Sequence, residues 1–252
     1  MAREIETFVV GGQVKMRKYG VGGAFLPVGL VSTLVQAIEK TDLTLADTTT
    51  PQGGEYDSIS RITSMGLTMN WRELYTENLG LMYWGDVTRI PSATVTDEPH
   101  TASKGGTIKL DKMPLSITSV TLSLAGGTAL VEGDDYQLTG SGIEILPAGS
   151  IADDAAILVT YRSATVDVIE ALTNSGTVVE FLFEGANAAG TKKRVNLQYF
   201  RCQLSPAAST NWISTDDFMG SEVTAKVLSD PAKVGAGKSK YMRIEKEVPT
   251  TV

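Results

Sequence analysis

The sequence holds one cysteine, Cys202, and one histidine, His100, and those two shortages remove most of the chemistry a folded chain can perform. A lone cysteine cannot form an internal disulfide, and one Cys with one His cannot build an ordinary four-ligand zinc site. Any Ser-His-Asp or Cys-His mechanism would have to run through His100. That residue lies in the polar stretch PSATVTDEPHTASKGG, away from any nucleophile, and reads as a solvated loop histidine. Cys202, between Phe200 and Leu204, reads as a small buried apolar residue.

Cations are also short. Against 29 Asp and Glu stand 22 Lys and Arg, a net charge of -7, which argues against gripping nucleic acid by neutralising its phosphates and leaves a passive relation to DNA open. No run approaches the roughly 18 apolar residues that cross a bilayer, so no membrane span is expected. The opening MAREIETFVVGG lacks a basic region followed by an apolar segment, so no secretion signal is expected either. Three tryptophans without a dense aromatic platform argue against a sugar cleft. The pairs Asp134-Asp135 and Asp153-Asp154 lack the spacing of a calcium loop and read as turns. Gly11-Gly12 and Gly22-Gly23 lack the Lys-Ser/Thr of a phosphate loop and also read as turns. No catalytic residue, metal or cofactor is expected.

What is present is strand. From Leu67 to Trp71 apolar Leu67, Met69 and Trp71 alternate with Thr68, Asn70 and Arg72, the period of a sheet with one buried and one wet face. Thr76 then stands as an N-cap, Glu77 puts negative charge in the first turn, and Leu79, Met82 and Tyr83 recur at helical spacing before Gly85. Residues 33–45 fit both periods, and their threonines favour a strand. Residues 1–30 read as a glycine-dense, wrapping segment with one edge strand at 24–28. The class is mainly β.

At Pro91 the composition turns Thr-, Ser- and Asp-rich, and short strands follow at 107–110, 119–124, 136–139, 143–146 and 157–162, separated by turn chemistry. Residues 95–164 therefore read as a small, sandwich-like β domain inserted into a larger one made of 1–94 and 165–252. Beyond it, 179–184 and 195–199 read as a hairpin, and 222–228 with 241–245 as a last pair joined by DPAKVGAGKSK. The run Lys192-Lys193-Arg194 reads as a solvated loop that could meet an acidic neighbouring subunit.

The segment LTMNWRELYTENLGLMYWG resembles the strand-then-helix of the major tail tube proteins of long-tailed bacteriophages, with Asn78-Leu79-Gly80-Leu81 in the place of the family's Asn-Leu-x-Leu helix. VNLQYFRCQLSPAAS, EVTAKVLSDPAK and YMRIEKE are similar to that family's closing strands, and GTALVEGDDYQLTGSGIEIL to the small β domains that phage tail proteins carry as insertions. The resemblance implies a β-sandwich or half-barrel with one flanking helix. It implies hexameric rings that stack into a tube conducting viral DNA, in a virion tail assembled in the bacterial cytoplasm. The expected partners are further copies and other tail proteins (tape measure, terminators, baseplate or tip), while DNA passes without specific binding. An acidic lumen would repel phosphate, and Glu39, Asp42 and Glu73 from the matching hairpin are its candidates. Residues 46–58 match the loop that reaches the neighbouring ring, with Thr48, Thr49, Thr50, Pro51, Gln52, Gly53, Gly54, Glu55 and Tyr56 as contact candidates expected to order on assembly. Two readings compete with it: a module whose inserted domain grips a host glycan or another virion protein, and an acidic β hydrolase disfavoured by the missing histidines.

Overall fold

The computed structural model describes residues 7–123, 127–189 and 192–248. The chain is mainly β, with sixteen strands and one helix among those residues. It divides into two compact units, Met1–Asp86 with Ile169–Val252, and Val87–Val168. The second extends past 95–164 because the polar flanks form strands of their own.

The first unit opens with β1 (Val10–Lys18), β2 (Leu26–Gly29), β3 (Val31–Ala46), β4 (Glu55–Trp71) and helix α1 (Thr76–Met82). Next come β5 (Asp86–Ile90), β6 (Thr94–Thr101), β7 (Thr107–Lys109), β8 (Pro114–Leu122), β9 (Tyr136–Leu138), β10 (Gly142–Ile145), β11 (Ala156–Ser163) and β12 (Val166–Glu170). The chain then completes the first unit with β13 (Val178–Asn187), β14 (Arg194–Leu204), β15 (Ser221–Val227) and β16 (Met242–Lys246).

The large sheet runs β2-β1-β13-β14-β15-β4-β3, with β16 also paired to β14. Its end strands β2 and β3 are separated in the chain by Leu30 alone. One segment thus hydrogen-bonds first to β1 and then to β4, which curls the sheet around its core. Gly29 makes the bend: its φ is 96°, and a Cβ there would lie 2.8 Å from Glu73. Inside sit Leu67, Met69 and Trp71 with Val14, Phe181, Tyr199, Val223 and Val227, so the alternation read at 67–71 is the alternation of the core face. In the second unit two three-stranded sheets, β7-β10-β9 and β6-β11-β8, share a core of Leu110, Val120, Ile143, Ile145, Val159 and Tyr161.

Several expectations change. Gly11-Gly12 is not a turn but part of β1, where Gly12 passes so close to β13 that a Cβ would meet the Glu184 carbonyl at 2.3 Å. The helix N-cap is Tyr75, which makes no side-chain cap bond, and Thr76 is already helical. Asn78 fixes the turn instead, its buried amide donating to the Val28 carbonyl at 2.8 Å and the Glu73 carbonyl at 3.1 Å. The helix buries Asn78, Gly80 and Met82, leaving Leu79 and Tyr83 half-buried. β15 and β16 do not pair with each other, because both bond to β14, at Cys202–Leu204 and Val195–Tyr199.

Candidate assembly surface

β15 covers β4 only from Gly66 to Trp71. Beyond that, β4 residues 55–65 have β3 as their one strand neighbour among the described residues. The ten residues before Met65, itself a core residue, carry this two-stranded arm roughly 33 Å past the core at about 3.3 Å each. Register shifts opposite Lys40 and Ala46 add a residue to β4 each time, increasing the twist. Among the described residues the outer edge of β3 ends the sheet.

The arm is apolar where a free ribbon would be polar. Ile38, Leu43, Leu45, Tyr56, Ile59 and Ile62 each expose more than half of their surface. Strand parity and register put Leu43, Leu45 and Ile59 on one face and Ile38 and Ile62 on the other, so neither face is purely a solvent face. Charge is interspersed. Lys40 pairs with Asp42 at 3.1 Å, and the Ser60 hydroxyl also donates to Asp42, which together hold its carboxyl below the usual range.

The tip is shorter than 46–58, because Glu55, Tyr56, Asp57 and Ser58 continue the ladder. Thr48 to Gly54 remain as the turn. In the single chain it is closed by Asp47 N–H to the Gly54 carbonyl at 2.8 Å and Gly53 N–H to the Thr50 carbonyl at 3.2 Å. Asp47 also accepts from the Thr49 amide and hydroxyl, which lowers its pKa.

The three acidic candidates do not share a surface. Glu39 is on the wet face with Val35 and Ala37, bonded by the Ser64 hydroxyl across the ladder. Asp42 is three residues on and therefore on the opposite face. Glu73 has left the strand and accepts from the Tyr75 hydroxyl. Arg72 is tied down: its Nη1 donates to the Phe218 carbonyl at 2.6 Å and lies 3.4 Å from Asp217. A residue passed over is Glu222, which pairs with Asn70 and joins Glu39 on the wet face of β15-β4-β3. Its signal was the alternation in EVTAKV, where Val223, Ala225 and Val227 are buried. Where β15 covers β4 that face is otherwise small and polar apart from exposed Val35, with Ser64, Gly66, Thr68 and Thr224, and Lys226 as a cation, and along the arm it passes into Leu43, Leu45 and Ile59.

A family model described as "Protein of unknown function UCP028589" matches residues 7–245. The chain belongs to that family. A comparison with the curated proteins finds no match. The matched span contains the whole second unit and all of the first but its two ends.

The residues weighed for chemistry in the sequence have the following surroundings. Cys202 is fully buried, and burial pushes its thiol up to about 12. Asp135 is buried and accepts from the Val131 amide, the Ser150 amide and the Ser150 hydroxyl at 2.7–2.9 Å, bonds that lower its pKa. Among the described residues no group of three or more His, Cys, Asp or Glu is arranged to hold a metal.

His100 is not a solvated loop residue. It sits in β6, half-buried, with Nε2 2.7 Å from Glu98 Oε1. Glu98 is buried and accepts further bonds from the Tyr161 hydroxyl at 2.7 Å and the Asp111 amide at 2.9 Å. Burial opposes the charge of Glu98, yet these donors outweigh it and its pKa falls below the ordinary 4.5. A lowered folded pKa means that its stabilisation is present above the unfolded pKa and lost as pH drops through the folded one. Glu98→Gln should therefore cost the second unit about 1–3 kcal/mol at pH 7 and remove part of its acid sensitivity. Thermal unfolding of wild type and variant at pH 7 and pH 3.5 checks this, and an equal gap at both pH values refutes it.

Proposed function

We propose that this chain is the subunit of a phage tail tube, closing into hexameric rings that stack and conduct DNA. The observation that carries the proposal is the β3–β4 arm, a long ribbon with apolar side chains on both faces and a free outer edge. A monomer gains nothing from such a feature and risks aggregation by it, whereas an assembly buries both the edge and the side chains. Glu39, Lys40 and Asp42 along β3 keep the unassembled edge soluble. Head-to-tail contacts that close a rotation generate rings, which suits one free edge meeting a different edge of the next copy.

The wet face of β15-β4-β3 beside the core, short of the arm, then lines the lumen. Its Ser, Thr, Asn and Gly residues offer DNA few footholds, and Glu39 and Glu222 repel phosphate. Asp42 and Glu73 serve elsewhere. Other tail proteins meet the tube at its ends, and the chain is a structural protein rather than an enzyme. Electron microscopy of the purified protein tests the reading: stacked rings with a continuous central channel are expected. Dispersed monomers at concentrations well above those in an infected cell would overturn it.

A further inference from the structure

Two patches of the first unit, at opposite ends of β14, match each other in chemistry. One is the loop 205–220, which leaves the C-terminal end of β14. It exposes Trp212, Ile213 and Phe218, the last at 89%, beside Asp216 and Asp217. The loop is anchored rather than trailing. Trp212 stacks on Tyr83 with ring centroids 6.3 Å apart, the Ala207 amide donates to the Met82 carbonyl at 2.8 Å, and Arg72 holds the Phe218 carbonyl.

The other patch gathers at the N-terminal end of β14. There Val10 pairs with Asn187, Arg194 with Ala186, and Lys246 with Val195, which brings the starts of β1 and β14 together with the ends of β13 and β16. Phe8, Val10 and Ile244 are exposed among Arg194, Arg243 and Lys246, and the Lys246 ammonium lies 5.2 Å from the Phe8 ring centroid. From Lys192 to Arg194 and from Arg243 to Glu247 there are five cations and two carboxylates, an excess of three positive charges.

We infer that the apolar, acidic loop 205–220 of one copy docks on the apolar, basic end of β1, β14 and β16 of a second copy. The eleven residues of β14 keep the two patches about 33 Å apart, so one molecule cannot satisfy itself. Being different surfaces, they make a head-to-tail contact that repeats from copy to copy. The contact rests on the self-assembly proposed above but uses neither the arm nor its tip. The carboxylates of the loop face the cations, which sets orientation, while Phe218 and Ile213 supply the dry centre.

Variants with one added cysteine test it, because native Cys202 is buried and its raised pKa leaves it little thiolate to react. Thr215→Cys and Ile244→Cys both fall at exposed positions, where folding is little affected. Mixed and mildly oxidised, the two variants should yield disulfide dimers joining one of each, with little dimer from either alone. Adding Asp216→Lys to the Thr215→Cys chain should lower the yield about tenfold at low salt, the size expected of losing roughly 1.4 kcal/mol of contact. No mixed dimer, or equal dimer from each variant alone, overturns the contact. Micrographs of the same samples separate the two proposals: tubes without the crosslink refute the contact, and the crosslink without tubes refutes the tube.

Discussion

Replacing Leu43 and Ile59 together by aspartate is expected to abolish assembly and leave a folded monomer. The two residues are cross-strand partners in the arm, each with more than half of its surface in solvent, and neither belongs to the core of either unit. Their loss therefore costs the isolated chain little, within about 0.5 kcal/mol per site as for other exposed positions. In an assembly the balance reverses. Burying the remaining exposed area of a Leu or Ile stabilises by about 1–2 kcal/mol, and an aspartate in its place would have to be desolvated without a partner, at several kcal/mol. Every subunit repeats the defect, so the penalty recurs at every contact. Sedimentation velocity should show monomer where wild type shows large species, with an unchanged far-ultraviolet circular dichroism spectrum. Tubes formed by the double variant would mean that the arm lies outside the contacts.

The β3 half of this arm was legible in the sequence and the β4 half, 55–65, was not, for physical reasons. The alternation of Leu67, Met69 and Trp71 identified the core face because one-sided burial imposes a period of two. The same period separates Glu39 from Asp42, since an odd spacing on one strand puts two side chains on opposite faces; grouping them as one lining ignored it. Thr63 has no partner in the register, and nothing in SerArgIleThrSerMet announces that slip. β1 was hidden by Gly11-Gly12, which carry turn chemistry locally but serve here as the thin place where β1 meets β13. The pairing of β16 with β14 rather than β15 joins residues about 45 apart, and pattern within a strand does not specify its neighbour. The buried bond network of Glu98, His100 and Tyr161 was invisible for the same reason, as it joins β6 to β11 across 63 residues.

Trp71 carries the second large effect, because it roots the arm in the core. It is fully buried, pairs with Val31 at the start of β3 and with Ser221 at the start of β15, and is followed by the Arg72 amide bond to the Leu30 carbonyl at 2.8 Å. Trp71→Ala should destabilise the first unit by about 3–5 kcal/mol through lost contacts and the cavity left behind. That is a large share of the 5–15 kcal/mol typical of a whole protein. The indole N–H, however, is buried with no hydrogen-bond partner among the described residues. An orphaned donor costs about 1–3 kcal/mol, so Trp71→Phe removes a penalty along with part of the packing and should lose far less than the alanine variant. Unfolding followed in two phases distinguishes this from general damage, since the second unit has its own core and should melt unchanged. If phenylalanine proves as harmful as alanine, the indole N–H is satisfied and its burial is not the weak point of the site. If it is tolerated, the root of the arm is held by ring volume alone, and assembly should survive in Trp71→Phe at temperatures where Trp71→Ala has already lost its arm.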